Sequence, residues 1–345
     1  MRFLKWFAAV VAVLLVIYLM GPRPATPVYS TAMPAVPSGA DSLETFIRNG
    51  EALHHLKPDN EARIIWADDS ARHKTDYAIV YLHGFSASQA EGAPIHTNIA
   101  KEFGCNLYLS RLAEHGIDTV EDMINLTPDK YWESAKVALA IGKQLGRKVI
   151  LMGTSTGASL ALQLAATYPG DIAALILMSP NIAIHDPRSW LLNKPWGLQI
   201  ARMVTGSHYE TAADTTALYK KYWYYRYPLE AAVQLEEMLA TSMKPEIFAK
   251  VRQPVLMLYY YRDATHQDQV VSIPAALKMF EELGTPRGEK IKESVPYAGD
   301  HVIGSYIKSK DLLTVQKDVE DFMERILKMD KKENNSITTI FRMAP

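Results

Sequence analysis

Gly153-Thr154-Ser155-Thr156-Gly157 sets a serine between two glycines. On its own this spacing is weak evidence, because Gly and Ser crowd ordinary loops. Its flanks say more. The apolar run Lys-Val-Ile-Leu-Met at 148–152 stands directly before it, and Ala-Ser-Leu-Ala-Leu-Gln-Leu-Ala at 158–165 directly after. A strand that enters a helix through so short a turn holds the serine in a strained conformation and lifts its hydroxyl above the sheet edge. The glycines spare a Cβ where backbones pass closely. The N-terminus of the following helix favours developing negative charge. The chemistry of such a site is nucleophilic attack by Ser155. The competing reading is a glycine-rich turn with no chemistry.

A serine hydroxyl needs a base to take its proton. Ala298-Gly299-Asp300-His301 follows an apolar run at 290–295 and precedes the last helical stretch, which makes His301 the expected base. His54, His55, His73 and His96 precede the nucleophile, His185 and His208 fall in an inserted region, and His266 lies where the acid is expected. The acid that orients the imidazole and stabilises the imidazolium should follow the run at 255–260. Two carboxylates stand there, Asp263 and Asp268, and the residues alone leave both open. The chain order of serine, acid and histidine matches this kind of sheet. A tetrahedral intermediate also needs N–H donors for its oxyanion. The residue after the nucleophile, Thr156, and Phe85 in His83-Gly84-Phe85 after the run at 77–82 are the expected backbone donors. His83 is then a residue that bonds within its own loop.

The elements that must position these groups follow an alternating pattern. Short apolar runs at 62–66, 77–82, 106–109, 148–152, 173–178, 255–260 and 290–295 read as strands. Helical spacing at 95–103, 131–145, 158–166, 274–283 and 312–327 lies between and after them. Apolar runs separated by helices predict an α/β fold, a mostly parallel sheet covered on both faces. About 75 residues separate two successive runs, too long for an ordinary crossover, so 184–251 reads as an inserted helical cap. Its aromatic residues, among them Trp190, Trp196, Tyr219, Trp223 and Tyr227, read mostly as the cap's own core, with a few facing the site.

At the N-terminus, residues 3–20 are apolar apart from Lys5. About 18 such residues is near the minimum for a membrane span, and no clear small-x-small cleavage site follows, Pro24-Ala25-Thr26 being a poor candidate. The expectation is an anchor over 1–21 with Arg2 and Lys5 cytoplasmic and the body periplasmic or extracellular. The alternative is a cleaved signal and a secreted protein. Five prolines within 22–40 read as a semi-rigid spacer. A globular domain over 41–328 is expected to begin near Asp41, with Asp41 or Ser42 capping a helix, and 329–345 reads as a loose tail. Lys and Arg total 37 against 38 Asp and Glu, a balance without the basic excess of a nucleic-acid binder. The single Cys105 lies in an apolar run, forms no internal disulfide and reads as an inert core thiol. Neither cofactor nor metal is expected.

With these residues in view, the chain resembles the α/β-hydrolase superfamily, near bacterial carboxylesterases and monoacylglycerol-lipase-like lysophospholipases. The resemblance rests on His83-Gly84-Phe85-Ser86, on Ser110-Arg111-Leu112-Ala113-Glu114-His115-Gly116, on the Ser155 motif, on Asp268-Gln269-Val270-Val271 and on Gly299-Asp300-His301. It covers roughly 77–327 outside the cap. It implies that the acid stands three residues before a Val, which favours Asp268 over Asp263. It implies that His115 is a loop residue, with Glu114 where Gly is usual. The function it implies is hydrolysis of carboxylic esters, lipid-like acyl esters among them, through an acyl-enzyme. A peptidase, thioesterase or acyltransferase on the same three residues is the alternative. A non-catalytic binding protein on the same scaffold is a further one, and oligomeric state is left open.

Overall fold

The computed structural model describes residues 2–332. Helix α1 (Arg2–Leu19) has none of its residues buried. The body then runs α2 (Ala40–Glu51), β1 (Arg63–Ile65), β2 (Thr75–Leu82), α3 (Ile95–Glu102), β3 (Asn106–Leu109), α4 (Pro128–Leu145), β4 (Gly146–Thr154), α5 (Thr156–Thr167) and β5 (Ile172–Met178). An insertion carries α6 (Gly197–Thr205), β6 (Tyr209–Thr211), α7 (Ala217–Tyr222), β7 (Arg226–Pro228), α8 (Leu229–Ser242) and the single turn α9 (Pro245–Phe248). The body resumes with β8 (Val255–Tyr259), α10 (Ile273–Glu282), β9 (Lys290–Ser294) and α11 (Leu312–Arg325).

The main sheet has seven strands in the order β1-β3-β2-β4-β5-β8-β9. Only β1 runs antiparallel, against β3. The central strands are buried on both faces, which explains why they read as continuous apolar runs and not as alternating ones. One face packs Leu82, Leu151 and Leu177 against α4 and α5. The other packs Ile79, Ile150 and Ile176 against α3 and α11. Truncating a fully buried Leu such as Leu151 to Ala would cost about 2–5 kcal/mol. Helix starts follow local chemistry. Thr127, Ser272 and Asp311 accept from the backbone N–H three residues on and cap α4, α10 and α11.

Four expectations need correction. Helix α2 is preceded by Gly39, with no side-chain cap from Asp41 or Ser42. The cap is not purely helical, because β6 and β7 pair into a short antiparallel hairpin. The proline-rich stretch is no free spacer. Val28 N donates to Asp129, Trp132 Nε1 donates to Ser30 O and Lys136 Nζ donates to Ala32 O. Tyr29, Met33 and Val36 pack on the core, so the stretch lies strapped along α4. The first residues of the tail are also tied down. Lys332 N donates to Glu102 O, and Lys331 pairs with Glu320. Residues 333–345 lie outside the described residues.

Candidate active site

Ser155 is the single residue between β4 and α5, with φ 53° and ψ −119°. A non-glycine residue held there stores on the order of 1–3 kcal/mol. The turn is fixed on both sides: Ser155 N donates to Met178 O at 2.9 Å, and Ser155 O accepts from Asn181 N at 3.1 Å. Both glycines are demanded by close approach. A Cβ on Gly157 would stand 2.0 Å from Leu82 O, and one on Gly153 would stand 2.6 Å from the Gly157 carbonyl carbon.

His301 lies in the loop between β9 and α11 and is 9% exposed. Its Nδ1 donates to Asp268 Oδ2 at 2.6 Å. Asp268 is 1% exposed, and its other oxygen accepts from Val270 N at 2.8 Å and Val271 N at 3.1 Å. The loop after β8 explains why Asp268 arrives here. Tyr261 bridges to Gln267, and Asp268 N returns to Tyr260 O at 3.1 Å, so the intervening residues form a side excursion. Asp263 stays in that excursion. It accepts from His266 and Thr265 and does not reach His301. Burial alone would lower the His301 pKa, but the Asp268 charge and hydrogen bond outweigh it and leave the ring above its ordinary value. Burial would raise Asp268, and the same pairing overrides that and holds it below the usual carboxylate range.

Ser155 and His301 line one cavity of about 660 Å³. Among the described residues no hydrogen bond joins the Ser155 hydroxyl to the His301 ring. Such bonds commonly tighten only with substrate seated.

The loop after β2 completes the floor. His83 Nε2 accepts from Leu112 N at 3.0 Å, so its Nδ1 carries the proton and donates to Gly84 O at 2.9 Å. With that carbonyl held, the planar peptide turns the Phe85 N–H the opposite way. Neither Phe85 N nor Thr156 N has an acceptor among the described residues. His115 Nδ1 donates to Ala113 O, and its Nε2 accepts from Ser86 N and lies 3.0 Å from the Tyr131 hydroxyl. Burial pushes His83 down to about 4 and His115 well below its ordinary value, so both rings are neutral braces for the loop. Sequence reasoning missed Tyr131 and, more consequentially, Glu91. Glu91 is 2% exposed, lines the cavity and accepts from Gly84 N. Nothing in the spacing of Gln89-Ala90-Glu91 marked it.

Cap residues Leu191, Ile200, Val204, Tyr227 and Leu235 form apolar wall around the floor. Tyr222, Trp223 and Tyr224 are buried, whereas Trp190 is exposed. Cys105 is buried, and burial pushes its thiol up to about 12.

The chain matches the model of a family described as serine aminopeptidase, S33, over residues 129–291. No curated protein sequence matches it. A structure from the metagenome-derived lipolytic enzymes LipS and LipT superimposes with TM-score 0.63 at 16% identity, covering 78% of this chain and 99% of that one. The monoacylglycerol lipase of Paleococcus ferrophilus gives 0.55 at 13% identity, with 76% and 97% covered. Est1E of Butyrivibrio proteoclasticus with ferulic acid bound gives 0.51 at 16%, with 78% and 95% covered.

The fold is that of the α/β-hydrolases. Within this α/β-hydrolase fold the family match spans Ser155 and Asp268. It stops short of His301 and precedes none of the Phe85 loop, so those positions rest on the geometry above.

Proposed function

We propose that the chain is a serine hydrolase cleaving carboxylic esters through an acyl-enzyme on Ser155. The observation that carries this is the buried His301–Asp268 pair, whose imidazole lines the same cavity as the strained elbow serine. His301 Nε2 takes the Ser155 proton as Oγ attacks the ester carbonyl. Phe85 and Thr156 N–H groups receive the oxyanion, and His301 returns the proton to the leaving alkoxide. Water then attacks the acyl-enzyme by the same route, yielding the acid and freeing Ser155. Asp268 keeps the proton on Nδ1.

A lipid-like acyl ester suits the apolar wall and the N-terminal helix. Helix α1 is long and apolar enough to cross a membrane, a property signal sequences share. Read as an anchor, it leaves the body on the non-cytoplasmic side. The end of α1 touches the cap: Trp196 Nε1 donates to Ile17 O, and Trp196 N donates to Pro22 O, both at 3.0 Å. Helix α6 follows at once, lines the cavity and leaves Met203 77% exposed. On the anchor reading, these contacts support a cavity wall that faces the bilayer.

The family description makes peptide hydrolysis the second reading. A panel of p-nitrophenyl esters of increasing acyl length, thioesters and aminoacyl p-nitroanilides separates them. Medium or long acyl esters should turn over fastest. Ser155→Ala should abolish turnover with the fold intact by circular dichroism, and retained turnover would overturn the proposal.

A further inference from the structure

The mechanism above leaves a buried carboxyl in the cavity wall without a role. Glu91 sits in the 3-10 turn Gln89–Gly92, and its Oε2 accepts from Gly84 N at 2.5 Å. A Cβ built on Gly84 would meet Glu91 Oε1 at 2.7 Å and Ser155 Cβ at 3.0 Å, so that oxygen and the serine side chain are at most 5.7 Å apart, the two distances laid end to end. Glu91 and His83 therefore hold the two sides of Gly84: one binds its N–H, the other its C=O. That residue carries the peptide presenting the Phe85 N–H.

We propose that Glu91 is a positioning residue for the Ser155 reaction, which as a neutral acid locks the Gly84–Phe85 peptide and on ionising places negative charge beside the oxyanion and slows turnover. This rests on the serine-hydrolase reading. The surroundings favour the neutral form. Burial raises the Glu91 pKa to about 8, against the lowering effect of the Gly84 bond, His301 and Tyr81. The groups around it are the Tyr81 hydroxyl from β2, Tyr131 from α4, Tyr219 from α7, and Asp300 and His301 from the loop before α11. His96 of α3 packs against the neighbouring Gly92, and Lys308 lines the same cavity but pairs with Asp300 and Asp214. No cation among these contacts the Glu91 carboxyl in the described residues. At ~6 Å and an effective dielectric of ~20, a charged Glu91 makes the step on the order of 10²-fold slower.

The test is the pH profile of kcat for p-nitrophenyl butyrate from pH 5 to 10, with spontaneous hydrolysis subtracted. The wild type should rise as His301 loses its proton and fall as Glu91 ionises. Glu91→Gln, which keeps a neutral acceptor for Gly84 N, should keep the rise and lose the fall. Glu91→Ala should lower kcat about tenfold on the plateau below the Glu91 ionisation, with KM little changed, and should also lose the fall. An alkaline fall retained in Glu91→Gln, or wild-type kcat in Glu91→Ala on the plateau below that ionisation, would overturn the role. Should the variants not fold, infrared spectra of the wild type decide. A protonated-carboxyl band lost in step with kcat supports the proposal, and its absence at pH 7 contradicts it. If the hydrolase reading itself fails, Ser155→Ala retains activity. If only the Glu91 role fails, Ser155 dependence stands and the alkaline limb survives substitution.

Discussion

Replacing Asp268 by Asn tests the acid assignment, because the structure dictates how the new amide must sit. Val270 N and Val271 N both donate to one Asp268 oxygen, so the Asn carbonyl takes that position. Its NH2 then faces His301 Nδ1, now 2.6 Å from a carboxylate oxygen. Two donors cannot share that contact. The imidazole must shift its proton to Nε2, where it can no longer accept the Ser155 proton. A ring fixed in the wrong tautomer lowers kcat/KM about 10³–10⁴-fold, equivalent to about 4–5.5 kcal/mol of transition-state stabilisation. Steady-state hydrolysis of p-nitrophenyl butyrate measures this, with circular dichroism to show that the fold survives. Asp263→Asn is the internal control. Its carboxylate serves the half-exposed His266 and Thr265 in the side excursion, so kcat/KM should change less than about twofold. A large loss in Asp263→Asn, or Asp268→Asn within tenfold of wild type, would refute the reasoning.

Three further outcomes follow from the same contacts. Because the folded Glu91 pKa is raised from 4.5 to about 8, its contribution to stability is intact below pH 4.5 and erodes as pH rises through that window. At about 1.4 kcal/mol per pH unit the loss is on the order of 4–5 kcal/mol by pH 9. Thermal melts should show a gap between pH 5 and pH 9 that narrows in Glu91→Gln, and an unchanged gap would contradict it. Gly157→Ala drives a Cβ to 2.0 Å from Leu82 O, a backbone atom that cannot swing aside. It should cost about 3 kcal/mol or more and lower Tm by roughly 6–12 °C, or leave the protein insoluble. Removing residues 2–20 should abolish co-sedimentation with lipid vesicles while hydrolysis of p-nitrophenyl acetate persists, since α1 contributes nothing to the cavity floor.

Much of the fold was legible because burial on both faces writes strands as unbroken apolar runs, as at Ile79–Val80–Tyr81 and Ile150–Leu151–Met152. The strand-to-helix turn at Ser155 was legible because so tight a turn needs both glycines and both flanking elements in immediate succession. The residues alone could not separate Asp268 from Asp263, since the bridge between Tyr261 and Gln267 that takes Asp263 away is a matter of backbone geometry. The strap formed by Tyr29, Met33 and Val36 was hidden for a different reason. Apolar residues scattered among prolines carry no period, and what they pack on is distant in sequence. The hairpin of β6 and β7 has three residues a side, too few to show alternation. Glu91 gave no signal, because a lone carboxylate among small residues reads as surface until its burial is seen.

The central claim is that Ser155 is a nucleophile activated by His301. Incubation of the purified protein with a fluorophosphonate, followed by tryptic peptide mass spectrometry, tests it most directly. The account predicts one phosphonyl adduct, on Ser155, abolished in Ser155→Ala and slowed at least 10²-fold in His301→Ala. No adduct on the wild type, or labelling at equal rate without His301, would contradict it.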